Sequence, residues 1–207
     1  MSKILVTGAT GQLGTIIVNH LLQQLPADSI TVLVRDENKA VALKEKGVNL
    51  KLGDYHNIPS MVEAMKGIDK VLLISSSDFN DRIGQHKNAI NAAKESGVKH
   101  IHYTGVTMNN PDESPLKPLL GDHAETEAYI KESGLTYTFL QNSLYAEIIP
   151  MFLGSNVLET GAFFAGGEGK VAFAARKDLG EAIAAVLASD GHENKTYHLT
   201  LSLIHIS

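Results

Sequence analysis

Three glycines at intervals of three, Gly8, Gly11 and Gly14, stand between a short apolar run at residues 3–7 and a stretch with the apolar spacing of a helix. In that second stretch Leu13, Ile16, Ile17, Leu21 and Leu25 share one face, which predicts a helix over residues 12–25. A glycine turn between a first strand and a first helix restricts the fold sharply. The first glycine permits a tight turn, the second lets backbone amides approach a ligand without an intervening Cβ, and the third lets helix and strand pack closely. The start of the helix then offers unpaired N–H groups and a partial positive charge, which suits a diphosphate. The alternative reading is a glycine-rich turn that binds nothing.

The remainder of the chain repeats the alternation of strand and helix. Apolar, β-branched runs predict further strands at 30–34, 48–52, 70–75 and 99–104. Helices are expected after Asp36 up to Gly47, near 59–65 and over 81–96. Residues 108–120 carry three prolines and no periodicity, and read as a loop. A helix over 122–133, a strand over 136–140, a shorter helix near 144–153, a helix near 178–189 and a strand over 195–199 complete the pattern. The expected fold class is α/β, a Rossmann-type doubly wound parallel sheet in a single domain over residues 1–200. Residues 201–207 read as a tail, a truncation or a cloning scar.

Composition excludes several classes. Apolar residues make up 43% of the 207 and charged residues 20%, as in ordinary globular chains. The net charge is −5 with scattered cations, so no basic stripe tracks nucleic acid. The absence of cysteine removes disulfides, thiolate nucleophiles and Cys-ligated metals. His100 and His102 share a strand face without a third ligand at sensible spacing, so no metal is expected. No Gly-x-Ser-x-Gly elbow supports a serine hydrolase. With no signal peptide after Met1 and no bilayer-length apolar run, the expectation is a soluble, cytoplasmic protein without a membrane partner.

The end of the second strand should select the cofactor, and it offers Arg35-Asp36. In one reading Arg35 meets the 2′-phosphate of NADPH while Asp36 caps the next helix; in the other Arg35 is a surface cation and Asp36 reads the ribose of NADH. The first is favoured because Arg35 lies nearer the strand end. Ser75, Ser76 and Ser77 end the fourth strand at the carboxyl edge, where small residues leave room for a cofactor or simply form a turn.

Several segments together carry a resemblance. They are the Gly8–Gly14 spacing, Leu33-Val34-Arg35-Asp36 with Lys39-Ala40, Gly53-Asp54-Tyr55, Leu73 to Ser77, Gln85-His86-Lys87-Asn88, Asn91 to Lys94 with Gly97-Val98-Lys99, and Ser133 to Thr138. In combination they resemble the NmrA-like family, an atypical branch of the short-chain dehydrogenases/reductases, and within it the bacterial type 2 NAD(P)H:quinone oxidoreductases. The resemblance implies that Gly8, Ala9, Thr10, Gly11, Gln12, Leu13, Gly14, Arg35, Ser75, Ser76, Ser77, Asn142, Ser143, Leu144, Tyr145, Ala146 and Glu147 contact NADPH. It also implies that residues 174–178, with Arg176, close over the nicotinamide end. Two departures stand out: Gln141 occupies a place where such proteins often carry Arg, and the C-terminal part that walls the substrate pocket is incomplete.

None of the six tyrosines has Lys four residues later, so the Tyr-x-x-x-Lys proton donor of ordinary short-chain reductases is missing. His123 and Glu127 share a helix face and could relay a proton or merely form a surface hydrogen bond. Asn142 and Tyr145 are the candidates to donate hydrogen bonds to a quinone oxygen, or are ordinary packing after a strand. His86, on the face of Ile83 and Ile90, reads as a hydrogen-bonded core histidine. The expected function is NADPH-dependent hydride transfer to a quinone or similar small acceptor by a protein that could form a homodimer. The alternative is a non-catalytic NADP(H)-sensing regulator that binds a protein partner.

Overall fold

The computed structural model describes residues 2–78, 80–107, 113, 117–161 and 171–201. The strands are β1 (Ile4–Val6), β2 (Ile30–Val34), β3 (Asn49–Leu52), β4 (Lys70–Ile74), β5 (His100–Val106), β6 (Thr136–Asn142) and β7 (Lys195–Leu199). They form one sheet in the order β3-β2-β1-β4-β5-β6-β7, every pair parallel. Helices α1 (Gln12–Leu21), α2 (Val41–Lys44), α3 (Ile58–Met65), α4 (Arg82–Glu95), α5 (Lys117–Ser133), α6 (Ile149–Leu153), α7 (Val157–Thr160) and α8 (Arg176–Ala188) connect them.

Side chains alternate across a strand, and here both faces are covered, as parallel sheets require. Ile4 and Val6 point into a core completed by Ile17 and Leu21 of α1 and by Ile183 and Leu187 of α8. Leu5 points the other way, toward Met61 and Met65 of α3, Ile90 of α4, Ile130 of α5 and Phe139 of β6. On the first face α8 approaches α1 through Gly180, where a Cβ would stand 2.5 Å from Cγ2 of Ile16. That close crossing brings the N-terminus of α8 beside the N-terminus of α1.

The order of strands reverses between β1 and β4. Connections leaving their carboxyl ends run to opposite sides, and the crevice between them is where ligands of such sheets bind. Thr7 sets its width: its hydroxyl donates to the Leu72 carbonyl at 3.1 Å and accepts the Ile74 amide at 3.0 Å.

Strand cores and most helices fall where the sequence places them, but β5 and β6 each run two residues further than expected, and the helix expected after Asp36 is a 3-10 turn, Glu37–Ala40, followed by the short α2. Helix α1 stops at Leu21, and Leu25 follows in a turn, its amide donating to the Leu21 carbonyl at 2.8 Å. Helix α5 starts at Lys117 rather than Asp122, so the predicted loop is shorter, and its residues 108–112 and 114–116 lie outside the described part. The helix expected near 144–153 is a 3-10 turn, Ala146–Ile148, followed by the short α6. Tail residues 202–207 are likewise outside the described part. Among the described residues no helix is long and apolar enough to cross a membrane.

Candidate functional site

The crevice opens into a cavity of about 1210 Å³ that runs from Thr7, Gly8, Thr10, Gly11, Gln12, Leu13 and Gly14, past Arg35, to Ser75, Ser76, Ser77, Tyr145 and Arg176. Residues from four separate connections that the sequence singles out therefore share one wall. Gly8 takes a φ of +61°, a left-handed conformation that favours glycine. A Cβ at Gly14 would stand 2.2 Å from the Gly8 carbonyl oxygen and 2.8 Å from the Ala9 Cα, so strand and helix meet there backbone to backbone. No side chain caps α1, and its first turn carries no acidic residue. Its leading amides and the positive end of its dipole are thus left for an anion, and the cradle fits a diphosphate. Ala9 is wholly buried under the turn and supports it without lining the cavity.

At the far edge of β2, Arg35 is exposed and lines the cavity together with Lys39. Asp36 also borders it, but its carboxylate accepts the Asn38 amide at 2.9 Å and caps the turn that follows. That division of labour supports the reading in which the cations take a 2′-phosphate. Gly53 and Tyr55 line the same end of the cavity; burial pushes the Tyr55 phenol up to about 12, so it stays protonated.

The three serines are not equivalent. Ser76 is bound on every polar atom by α4 or its approach: its amide donates to His86 Nε2 at 2.9 Å, its carbonyl accepts Arg82 Nε at 2.8 Å, and its hydroxyl donates to Gln85 Oε1 at 2.6 Å. Gln85 in turn donates to Asp78 at 2.7 Å. Ser75 is tied to β5 through its amide and Thr104 Oγ1 at 2.9 Å. Among the described residues the hydroxyls of Ser75 and Ser77 have no partner, and both residues line the cavity beside the anchored Ser76. Sequence reasoning assigns no site role to Arg82, Gln85, Lys39 or Thr7, although Gln85 and Lys39 stand in segments that carry the resemblance, because each sits where helix surface or strand end is the ordinary reading.

His86 is a buried, hydrogen-bonded core histidine, as its helical position suggests. Because Nε2 accepts from Ser76, Nδ1 carries the proton and donates to Thr126 Oγ1 at 2.8 Å. Burial, with the nearby charges of His123 and Arg82, lowers its pKa to about 3; burial and Arg82 lower His123 to about 4. Both folded values lie below the unfolded value near 6.5, so the unfolded chain binds more protons as pH falls. Stability is therefore complete above about pH 6.5 and declines from there down to about pH 3–4. Each ring should remove about 1 kcal/mol of unfolding free energy between roughly pH 7 and 5.5. Urea unfolding across that range checks this; a His86→Gln variant should show a shallower acid loss, and an equal slope would contradict the assignment.

The His123–Glu127 pair does not form. His123 Nδ1 meets the Tyr103 phenol at 2.8 Å, while Glu127 accepts Gln141 Nε2 at 2.9 and 3.1 Å. One side chain serves β5 and the other β6, and His123 stands outside the residues that line the cavity. Burial raises the Glu127 pKa, with the Gln141 bond opposing it. His100 and His102 stack at 4.1 Å on one strand face, and no cluster of three or more metal-ligating side chains occurs among the described residues.

The end of β6 forms the other extreme of the site. Asn142 is 2% exposed; its Nδ2 donates to the Tyr145 hydroxyl at 3.3 Å, and its Oδ1 has no partner among the described residues. An orphaned acceptor here fits a ligand carrying an amide donor, such as the carboxamide of a nicotinamide. Ser143 and Leu144 lead away: the Ser143 amide bonds the Leu199 carbonyl at 2.9 Å, and the Leu144 carbonyl accepts the Ala174 amide at 3.0 Å. The Ala146 amide bonds the Ala174 carbonyl at 2.9 Å, which docks residue 174 beside Tyr145. Of residues 142–147, Tyr145 alone is among the cavity-lining residues; Glu147 reaches the site through Arg176.

A sequence model described as the NmrA-like family matches residues 1–202. The chain belongs to the NmrA-like family. Among its relatives, quinone oxidoreductase 2 of Escherichia coli is 43% identical over 199 residues, spanning 95% of this chain and 68% of that protein. An NAD(P)H azoreductase of Xenophilus azovorans is 32% identical over 199 residues, 95% of this chain and 67% of its own length. The crystal structure of an E. coli NADPH-dependent quinone oxidoreductase complexed with NADPH superposes with a TM-score of 0.88 at 42% identity, covering 95% of this chain and 69% of that one. Citrobacter triphenylmethane reductase complexed with NADP(H) gives 0.87 at 41% identity, covering 96% and 70%. The chain thus spans about two thirds of the length of each of these relatives.

Proposed function

We propose that this protein is an NADPH-dependent oxidoreductase that reduces a quinone or a similar small acceptor. The observation that carries the reading is one continuous cavity with an anion cradle and two cations at one end and an oriented phenol at the other. The names of the relatives support it, one being a quinone oxidoreductase at 43% identity. Bound NADPH would supply the hydride. The protein's share is positioning and electrostatics. The amides of Gln12, Leu13 and Gly14 hold the diphosphate, with the Gly11 amide closing the turn on the Gly8 carbonyl at 3.0 Å, and Arg35 and Lys39 meet the 2′-phosphate. The platform around Ser76 presents the hydroxyls of Ser75 and Ser77. Because Asn142 Nδ2 donates to the Tyr145 oxygen, the phenolic proton is free to point at an acceptor oxygen and to stabilise charge developing there. A quinone accepts hydride without the strong acid catalysis that a simple ketone needs, which matches the missing Tyr-x-x-x-Lys pair.

The test is consumption of NADPH on adding a benzoquinone or menadione, followed by the loss of reduced-nicotinamide absorbance. Quinone-dependent turnover faster with NADPH than with NADH is the expected result. A chain that binds NADPH yet reduces no quinone would instead favour the NADP(H)-sensing reading, in which binding alone is the output.

A further inference from the structure

We propose that Arg176 is a positioning residue that acts through Tyr145, holding its guanidinium over the phenol ring so that the Tyr145 hydroxyl can release its proton to the reduced acceptor. This rests on the oxidoreductase reading above, but the contact it names can be tested without cofactor or substrate.

The contact is built from both sides. The guanidinium carbon of Arg176 lies 4.2 Å from the centre of the Tyr145 ring. Arg176 opens helix α8, and the chain just before it is pinned to the chain around Tyr145 by the paired bonds between residue 174 and residues 144 and 146. Glu147 then fixes Arg176 at two points. One carboxylate oxygen accepts the Arg176 amide at 2.9 Å, and the other pairs with the guanidinium at 3.4 Å. The Arg176 side chain is only 16% exposed, so solvent screens its charge weakly. Asn142, from the opposite side, fixes the direction of the hydroxyl.

A cation over a ring face is held by the ring's electron density, and it is held far more strongly once the ring carries a full negative charge. Arg176 therefore favours the anion left after proton release. Burial is the largest influence and raises the Tyr145 pKa; the Asn142 bond and Arg176 lower it, and Glu147 raises it. Those two charged groups, one from α8 and one from the turn after β6, are the ones that act on the phenol. Arginine keeps its charge throughout the working range of an enzyme, so the assistance does not titrate away. In ordinary short-chain reductases a lysine one helical turn from the tyrosine does this work. Here no such lysine follows Tyr145, and the charge arrives from a different helix. The proton balance is complete: the O–H bond of Tyr145 breaks, an O–H bond forms on the acceptor that has taken up hydride, and the tyrosinate recovers a proton from water.

The experiment follows the ring-carbon NMR signal of Tyr145 in the ligand-free protein as pH rises, with the signal assigned by its loss in Tyr145→Phe. Arg176→Ala should raise the midpoint by about one pH unit. Arg176→Lys, which keeps the charge but not the planar group, should raise it less. Glu147→Gln should lower it through loss of its own charge; Arg176→Gln, which keeps a planar polar group but no charge, should raise it and decides the matter if Arg176→Ala does not fold. The alkaline fall of quinone turnover should move in the same direction as each midpoint. Midpoints equal to the wild type in these variants would overturn the role of Arg176 even if quinone turnover is intact. Shifted midpoints in a protein that reduces no quinone would uphold the contact and reject the oxidoreductase reading instead.

Discussion

Gly14→Ala should abolish dinucleotide binding and lower the melting temperature by about 6–12 °C. The added Cβ is the smallest possible, yet it would lie 2.2 Å from the Gly8 carbonyl oxygen, 2.8 Å from the Ala9 Cα and 2.9 Å from the Gly8 carbonyl carbon. All three are backbone atoms, so no side chain can rotate away. The turn itself must move, and its amides move with it. Overpacking of this kind costs up to about 3 kcal/mol, and a domain of this size loses roughly 2–4 °C per kcal/mol. Gly67→Ala is the control. Gly67 has a φ of +72° but nothing within 4 Å of its would-be Cβ, so the change should cost only about 1 kcal/mol of stability and leave dinucleotide binding intact. Thermal melts with calorimetric titrations of both variants check the pair. Equal behaviour of the two would mean that the close approach of α1 to the turn is unimportant.

Arg35→Ala should weaken NADPH binding by roughly 10- to 150-fold, which corresponds to about 1.5–3 kcal/mol for a hydrogen bond to a charged group. NADH, which lacks the 2′-phosphate, should be unaffected. The reasoning rests on the division between neighbours. Arg35 projects into the cavity beside Lys39, while Asp36 is engaged with the Asn38 amide. Removing Lys39 as well should deepen the loss, and raising the salt concentration should weaken NADPH binding by the wild type more than NADH binding. A calorimetric comparison of the two dinucleotides reads this directly. An equal loss for both would place Arg35 outside the phosphate site and return the selection to Asp36.

How far the sequence revealed this arrangement depends on how local each cause is. The glycine turn was legible because three glycines, a strand and a helix lie within about twenty residues, and one physical demand explains them all. Arg35 was legible because the strand end positions it. The start of α5 was misjudged because Pro118 looks like a helix breaker. It is the second residue of the helix, where a missing amide proton costs nothing, so the proline begins the element that it was expected to exclude. Pro150 sits in the same place in α6. The proposed His123–Glu127 pair failed for a different reason. Spacing along a helix shows that two side chains share a face, but the strands beneath supply competing partners, here Tyr103 and Gln141. The anchoring of Ser76 by Arg82, Gln85 and His86 and the placement of Arg176 over Tyr145 are tertiary, and nothing in the local pattern signals them.

The central claim is that the free amides at the start of α1 hold the diphosphate of NADPH. Its most direct test is the backbone NMR spectrum of the chain titrated with NADPH. The amide signals of Gln12, Leu13 and Gly14 should show the largest shifts, accompanied by Arg35 and Ser75. Saturable binding that leaves those three amides unmoved would contradict the account.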